Sequence, residues 1–556
     1  MGSTSLVELP VLALDVQATA AAARGGALLE VGWARAPRDG APVVVSAHVV
    51  APEGDVALPR QVERLTGLTR AEWRQGVTPA VAWSRLAAEA RGAGPLPTVV
   101  HYARFEAPFL HALHASHGHG AFPLELVCTH AIARRLLPEL PRATLRALAG
   151  YFGAAVPPLR RCAGHVEATA FVWRHLALLL VEREGVTDLS ALRAWLERPA
   201  RRAPRSFALG RETRRALPAG PGVYRFLRAG GAVLYVGKAT SLRTRVASHF
   251  HDRGRTPHER SLEMLTQARD VDCTPTETAL EAALLEADEI KRLAPPYNVA
   301  LTEAGRRLCF ASPQLDDLVA EPDAEHPVGP LPSPAPLDAL LALRALVGAR
   351  ERATCALRAR ALGVEPRWAP DPECFDPGLD RFVREHGLLL QARDVERLGR
   401  ALWTTLRHDR AEEDAPPARE RGARAWDPDR VVQALESTVA RATHAARRAR
   451  WLLRFVECSL RWSEPGASAS RLLELERGQV VERAWVAIDA PLPGPRGHGP
   501  GRLERQRGFD LATYDRLRVL VTELRALAPR VPHLELRLGP HVRLSRPRLL
   551  EVLRWI

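Results

Sequence analysis

The residues best suited to chemistry crowd into one stretch, Leu217 to Ala300. It holds both lysines of the chain, Lys238 and Lys291, its single asparagine, Asn298, and three of its six tyrosines, Tyr224, Tyr235 and Tyr297. Arginine fills almost every other cationic position, so these scarcer side chains mark places where their own chemistry is required. With Arg243, Arg245, His249 and Glu286 they make a set of phenols, cations, an imidazole and a carboxylate. That set suits hydrolysis of a phosphodiester. The reaction needs a deprotonated water, an electrophilic aid at the phosphate and relief of charge on the leaving oxygen. A phenol ionises near pH ~10, so a cation must lie close if it is to act as phenolate, and Lys238 is expected there.

The elements that must position this set are legible. Gly222-Val223-Tyr224 and Tyr235-Val236-Gly237 read as neighbouring strands around a Gly230-Gly231 turn, which would bring both phenols to one end of a small sheet. Leu242-Arg243-Thr244-Arg245-Val246 follows, then a helix after Thr276-Glu277 with two acids, Glu281 and Glu286. Five residues separate them, about 140° round a helix, so both do not face one ion, and Glu281 reads as structural. Pro296-Tyr297-Asn298 closes the stretch, with Asn298 expected to tie the last loop to the active face.

This ordered series over residues 216–300 resembles the GIY-YIG nucleases, and most nearly the N-terminal incision domain of UvrC and its stand-alone relative Cho. The resemblance implies a metal-dependent DNA endonuclease of nucleotide excision repair. It implies that Tyr224 or Tyr235 handles the proton of the attacking water, with Lys238 beside them. It implies that Arg245 binds the scissile phosphate, that Arg243, Gly237 and Asn298 serve the substrate side, and that Glu286 holds one Mg²⁺ or Mn²⁺. His249 stands where UvrC usually carries tyrosine, and can still donate a hydrogen bond or titrate. Ala283 interrupts the usual E-A-L run as an apolar face residue.

Towards the start of the chain, Val11 to Asp15 reads as a buried strand ending in an acid. Ala27 to Ala34 and Val43 to Val50 read as strands joined by Asp39-Gly40, and Val99-Val100-His101 as another, with helices between and after. The order Asp15-x-Gln17, Leu65-Thr66-Gly67-Leu68-Thr69, His101 to Glu106, Cys128-Thr129 and His165 to Ala170 resembles the DnaQ-like 3'-5' exonucleases, which have an RNase H-like fold, across residues 8–182. In that family four carboxylates hold two cations. Here Asp15 keeps the first acid and Glu106 stands for an aspartate. Gln17 replaces a glutamate, His165 falls where the last aspartate belongs, and Arg160 falls at the preceding histidine. Neither Gln nor His supplies negative charge, so the resemblance implies a degenerate exonuclease site kept for binding or positioning. Glu167 is the alternative, shifted ligand. A His111, His114, His117, His119 cluster could bring two imidazoles together for zinc, but reads better as a helix end and turn.

The remaining chain is less specific. The expected organisation is α/β and α+β multidomain: an RNase H-like fold at 8–182, a basic Pro/Arg linker at 183–215, a small α/β GIY-YIG domain at 216–300, a mostly helical region at 301–408, a linker at 409–428 and a C-terminal α+β domain at 429–556. Leu337 to Leu362 and Val431 to Trp462 read as helices; Arg447, Arg448 and Arg450 on the latter either track phosphates or are solvated. No UvrC-type second nuclease motif, UvrB-binding helix pair or helix-hairpin-helix is evident. The formal charge of +14 suits a polyanion, so DNA is the implied partner, with UvrA- or UvrB-type repair proteins beside it. Seven scattered cysteines without a C-x-x-C pair argue against disulfides and a thiolate zinc site, and the absence of a leader or long apolar run predicts a cytoplasmic protein without membrane contact. Two other readings stand beside the endonuclease: an active 3'-5' exonuclease joined to it, and a non-catalytic DNA-binding repair adaptor.

Overall fold

The computed structural model describes residues 5–36, 43–54, 56–91, 96–155, 157–200, 203–250, 259–302, 306–348, 354–390, 395–412, 425–494 and 501–554. The chain divides into two compact units, Met1–Ala279 with Leu293–Val299, and Leu280–Arg292 with Ala300–Ile556.

The first unit opens with a five-stranded sheet made of β1 (Val11–Ala18), β2 (Leu28–Ala36), β3 (Ser46–Val49), β4 (Pro97–Val100) and β5 (Glu125–Cys128), in the order β3-β2-β1-β4-β5. The first three strands run antiparallel, while β4 and β5 continue parallel to β1. β1 and β4 are buried along nearly their whole length because both faces are covered; Leu12, Leu14 and Val16 pack with Trp83 and Phe109 from the helices Pro79–Arg91 and Ala103–His117. Val11 and Val99 pack with Val172 and Leu176 of the helix Cys162–Glu184. The Asp39-Gly40 turn lies outside the described residues.

The central module follows in the same unit: β6 (Gly222–Leu227), β7 (Val233–Ala239) and β8 (Asp270–Pro275), ordered β7-β6-β8 and antiparallel throughout. Gly230 and Gly231 take φ of 86° and 84° at the hairpin, a left-handed pair that glycine adopts without a Cβ penalty. The short helix Leu242–Ser248, capped by the Ser241 side chain, turns Leu242 and Val246 into the core with Tyr224 and Phe226 and leaves Arg243 and Arg245 exposed.

In the second unit, β12 (Cys458–Ser463), β13 (Ala469–Glu476), β14 (Gln479–Ala487), β15 (His533–Leu538) and β16 (Val542–Ser545) form an antiparallel sheet, β14-β13-β12-β15-β16. A smaller sheet has β9 (Cys309–Ala311) between β10 (Leu318–Val319) and β11 (Val328–Leu331). Two expectations are corrected here. The helix expected over 431–462 ends at Phe455, because Cys458, Leu460 and Trp462 alternate inward as a central strand. The helix expected over 337–362 is two, Ala335–Gly348 and Cys355–Leu362. The basic helix is not an open cationic stripe: Arg450 pairs with Glu396, and burial lowers the pKa of Arg447 and Arg448.

The helix Ala279–Leu293 belongs to this second unit. Leu280 and Leu284 enter its core beside Leu473 and Leu520. Glu281 accepts two hydrogen bonds from Arg471, at 2.6 and 3.2 Å, in a fully buried pair. Asp288 meets Arg516 at 2.6 Å, and Lys291 meets the buried Asp515 at 2.9 Å, which Arg306 also grips through both carboxylate oxygens. Glu281 is therefore structural, as its position on the helix predicts. The seven cysteines are free, and among the described residues no helix is long and apolar enough to cross a membrane.

Candidate active site

The phenol pair is built by strand register. Tyr224 lies opposite Gly237, and Phe226 opposite Tyr235, so Tyr224, Tyr235 and Gly237 share one face of the β6–β7 hairpin. A side chain at 237 has no room: a Cβ there would sit 2.5 Å from the Tyr224 hydroxyl and 2.8 Å from the Tyr235 ring. Glycine at this position is what lets the two rings lie 6.1 Å apart over one backbone.

His249 completes the face. Its Nε2 is 2.7 Å from the Tyr224 hydroxyl, and its ring lies 6.0 Å from that of Tyr235. Burial, helped by the Arg245 charge, pulls the pKa of His249 down to about 4. At neutral pH the imidazole is uncharged, so one ring nitrogen carries a lone pair. Tyr224 is fully buried while Tyr235 is half-buried, so of the two phenols Tyr235 is the one with an open side.

The expected role of Lys238 beside the phenols is altered by the register. Lys238 pairs with Val223, one step out of phase with Tyr224–Gly237, so its side chain leaves the opposite face of the hairpin. Arg245 is the cation whose field reaches His249. Arg243 is occupied with the protein itself, donating from Nε to the Leu217 carbonyl at 2.9 Å. Asn298 ties its loop to β7, accepting from the Val236 N–H at 3.0 Å and donating to the Val236 carbonyl at 2.9 Å. Glu286, half-buried, lies on the helix Ala279–Leu293 of the second unit. Its carboxylate is a hard oxygen donor of the type that Mg²⁺ and Mn²⁺ take.

Sequence reasoning missed Glu263, which gathers Thr144, Arg146 and Tyr297 around one carboxylate. Only Tyr297, inside the P-x-Y-N motif, signalled it.

The N-terminal pocket contrasts with this. Asp15 and Glu106 are buried, as are His101 and Glu30. His165 Nδ1 lies 3.1 Å from Asp15 Oδ1. Burial opposes charge on His165, but the Asp15 carboxylate, through its charge and its hydrogen bond, outweighs that and raises the imidazole pKa. Gln17 turns its amide to the Arg160 carbonyl, 2.9 Å away. Burial and then the Asp15 charge push Glu106 up to about 8, although the Tyr102 N–H donates to it. Glu30, which also went unrecognised, is committed to Arg161 at 3.0 and 3.1 Å and to the Cys162 N–H. Two divalent cations do not fit this donor set: a neutral amide faces a carbonyl, and an imidazole already takes one oxygen of Asp15.

The histidine cluster disperses. His111 stacks on Phe122, His114 reaches the Gly120 carbonyl, and His117 lies 3.7 Å from Glu53. Among the described residues, the trio with ligand-like spacing is instead Glu385, His386 and Glu436.

Residues 220–299 match the family of UvrC-like GIY-YIG domains. A protein of Mycobacterium tuberculosis, provisionally named a bifunctional exonuclease/endonuclease, is 32% identical over 351 residues, which cover 59% of this chain and 51% of that protein. UvrABC system protein C of Sphingopyxis alaskensis is 52% identical over 89 residues, covering 16% of this chain and 14% of that protein. Among solved structures, the GIY-YIG N-terminal endonuclease domain of UvrC from Thermotoga maritima, bound to its catalytic magnesium, is 31% identical, with a TM-score of 0.15, and covers 16% of this chain and 94% of that one. The chain thus spans about half the length of the first of these relatives. It carries a UvrC-like GIY-YIG domain over residues 220–299.

Proposed function

We propose that the protein is a metal-dependent DNA endonuclease of the UvrC/Cho type, hydrolysing one phosphodiester per encounter at damaged or distorted DNA. The observation that carries this reading is the Tyr224–His249 hydrogen bond of 2.7 Å beneath a half-open Tyr235, with a neutral imidazole behind it. Tyr224 and His249 form a proton-holding pair, the hydroxyl donating to His249 Nε2. Tyr235, on the same face, orients the attacking water and hands its proton towards that pair. Arg245, exposed on its short helix, binds the scissile phosphate and offsets the charge that grows there. Lys238, on the other face of the hairpin, and Arg243 steady the flanking backbone rather than the phenols. Glu286 would hold one Mg²⁺ or Mn²⁺, which supplies Lewis-acid help to the phosphate and leaving oxygen.

The N-terminal domain, whose sheet order β3-β2-β1-β4-β5 supports an RNase H-like reading, is proposed to act without exonuclease chemistry. DNA is the substrate, and UvrA- or UvrB-type proteins are the proposed recruiters in excision repair.

Nicking of supercoiled plasmid and of a lesion-bearing duplex with Mg²⁺ or Mn²⁺ tests this. Glu286→Gln and Tyr235→Phe are expected to lose about 10²-fold or more in rate, while Asp15→Ala nicks like the wild type. Loss confined to Asp15→Ala, with shortening from 3' ends, would instead make the N-terminal pocket the catalyst. Absence of cleavage by any form, with or without UvrA and UvrB, would leave a DNA-binding adaptor.

A further inference from the structure

The N-terminal domain, in which Gln17 and His165 stand at two of the four acid positions expected of an exonuclease, docks closely on the central module. The contact runs between the helix Leu145–Tyr151 of the N-terminal domain and the helix Glu259–Gln267 beside β8. It is too close for ordinary side chains at its centre. A Cβ on Gly150 would fall 1.9 Å from the Gln267 amide oxygen. Around that point Arg228 donates to the Ala154 carbonyl at 2.6 Å, Arg269 to the Tyr151 carbonyl at 3.0 Å, and the Arg142 N–H to Thr266 at 3.1 Å.

The polar centre of the contact is Glu263. One of its oxygens accepts from Thr144 Oγ1 at 2.8 Å. The other accepts from Arg146 Nη1 at 3.3 Å and from the Tyr297 hydroxyl at 2.7 Å. The Arg146 guanidinium also lies over the Tyr297 ring, 4.5 Å from its centroid, and the Gln267 amide donates to the same hydroxyl. Arg146 and Glu263 are both mostly buried, with side-chain exposures of 14% and 17%, so water competes little for this network.

Tyr297 carries the network to the site. Its backbone N–H donates to the Leu234 carbonyl at 3.1 Å, and the next residue, Asn298, bonds both the N–H and the carbonyl of Val236. Leu234 and Val236 flank Tyr235. The backbone on both sides of that phenol is therefore held by residues 297 and 298, and Tyr297 is in turn held by Glu263 and Arg146.

We infer that Arg146, in the exonuclease-like domain, is a positioning residue for the endonuclease, acting through Glu263, Tyr297 and Asn298 on Tyr235. The degenerate domain is then a brace: its catalytic pocket is dispensable, but its docking helix is not. This rests on the reading of residues 220–299 as the cutting site.

The test uses the full-length protein on plasmid with Mg²⁺, measuring kcat, KM for DNA and thermal melting for Arg146→Ala, Tyr297→Phe, the double variant and Arg146→Lys, beside Glu286→Gln. Tyr297→Phe removes a single hydroxyl, so it reports even where Arg146→Ala folds poorly. The expected result is a kcat lowered about tenfold in each single variant with KM unchanged, and a double variant no worse than the weaker single, because the two act along one path. Arg146→Lys, which keeps a cation beside Glu263, recovers most of the rate. Unchanged kcat in both single variants, multiplicative losses in the double, or a loss expressed only in KM would overturn the inference. Those outcomes with an inactive Glu286→Gln would sink the brace alone; a fully active Glu286→Gln would sink the functional reading beneath it.

Discussion

Two polar sites share the first unit, and they have settled their charges in opposite ways. In the N-terminal pocket the groups satisfy one another: His165 takes Asp15, Glu106 holds its proton to about pH 8, Glu30 is spent on Arg161, and Gln17 faces a carbonyl. In the central module the buried pair is uncharged, Tyr224 on a neutral His249, and the cation Arg245 stays exposed at its rim. The first pocket spends its charges on internal partners. The second keeps a cation at its rim beside a buried neutral pair. What separates them is where the charge goes, since both are rich in polar residues.

The sharpest way to break that contrast is to crowd the phenols. Gly237→Ala places a methyl 2.5 Å from the hydroxyl of the buried Tyr224 and is expected to cut nicking about 100-fold and, by overpacking the hairpin, to cost about 1–3 kcal/mol in stability. Full activity in this variant would mean that the geometry of the phenol face is irrelevant.

The second test sets the two sites apart by pH. Glu106 has a folded pKa of about 8, above the unfolded value of 4.5, so its contribution is fully present below 4.5 and is lost as pH rises through 8. His165, also raised, acts in the same direction above its unfolded value. His249 is depressed to about 4, so its contribution changes only as pH falls below 6.5, and is flat in alkali. Between pH 7 and 8.5, urea unfolding is expected to show the wild type losing about 1 kcal/mol relative to Glu106→Gln, whereas His249→Phe runs parallel to the wild type. Parallel curves for Glu106→Gln would mean that the pocket is ionised after all.

The smallest effect sharpens the assignment of DNA contacts to the rim of the central module. Arg450 is paired with Glu396 on a partly exposed surface, so Arg450→Ala is expected to cost less than about 1 kcal/mol and to leave DNA affinity within about twofold in a filter-binding titration. A large loss of affinity would restore the basic helix as a phosphate track.

How much of this could be read from residue order follows from where the determinants lie. The hairpin around Gly230-Gly231, the outward Arg243 and Arg245 and the structural role of Glu281 follow from short-range rules of turn chemistry and periodicity. The side of the hairpin taken by Lys238 was legible and overlooked: it stands three residues after Tyr235 on one strand, and period-two alternation sends the two side chains to opposite faces. The strand Cys458–Ser463 was taken for helix because it follows a 28-residue helix with only two residues between. Glu263 stayed hidden because its three partners come from 119, 117 and 34 residues away. Likewise the neutrality of His249 depends on burial that only the packed core supplies.

One further consequence concerns the helix Ala279–Leu293. By sequence it sits inside the matched stretch 220–299, yet its apolar side and three of its charges are matched by Arg471, Asp515 and Arg516, some two hundred residues downstream. Scissors placed at the motif boundary would therefore cut through a fold rather than between folds. A fragment ending near residue 300 would carry Glu281, Asp288 and Lys291 without Arg471, Arg516 and Asp515, on a helix finished by the chain that follows. What reads as a portable cassette in the gene is, in the folded protein, an unfinished part until its last hundred residues have been made.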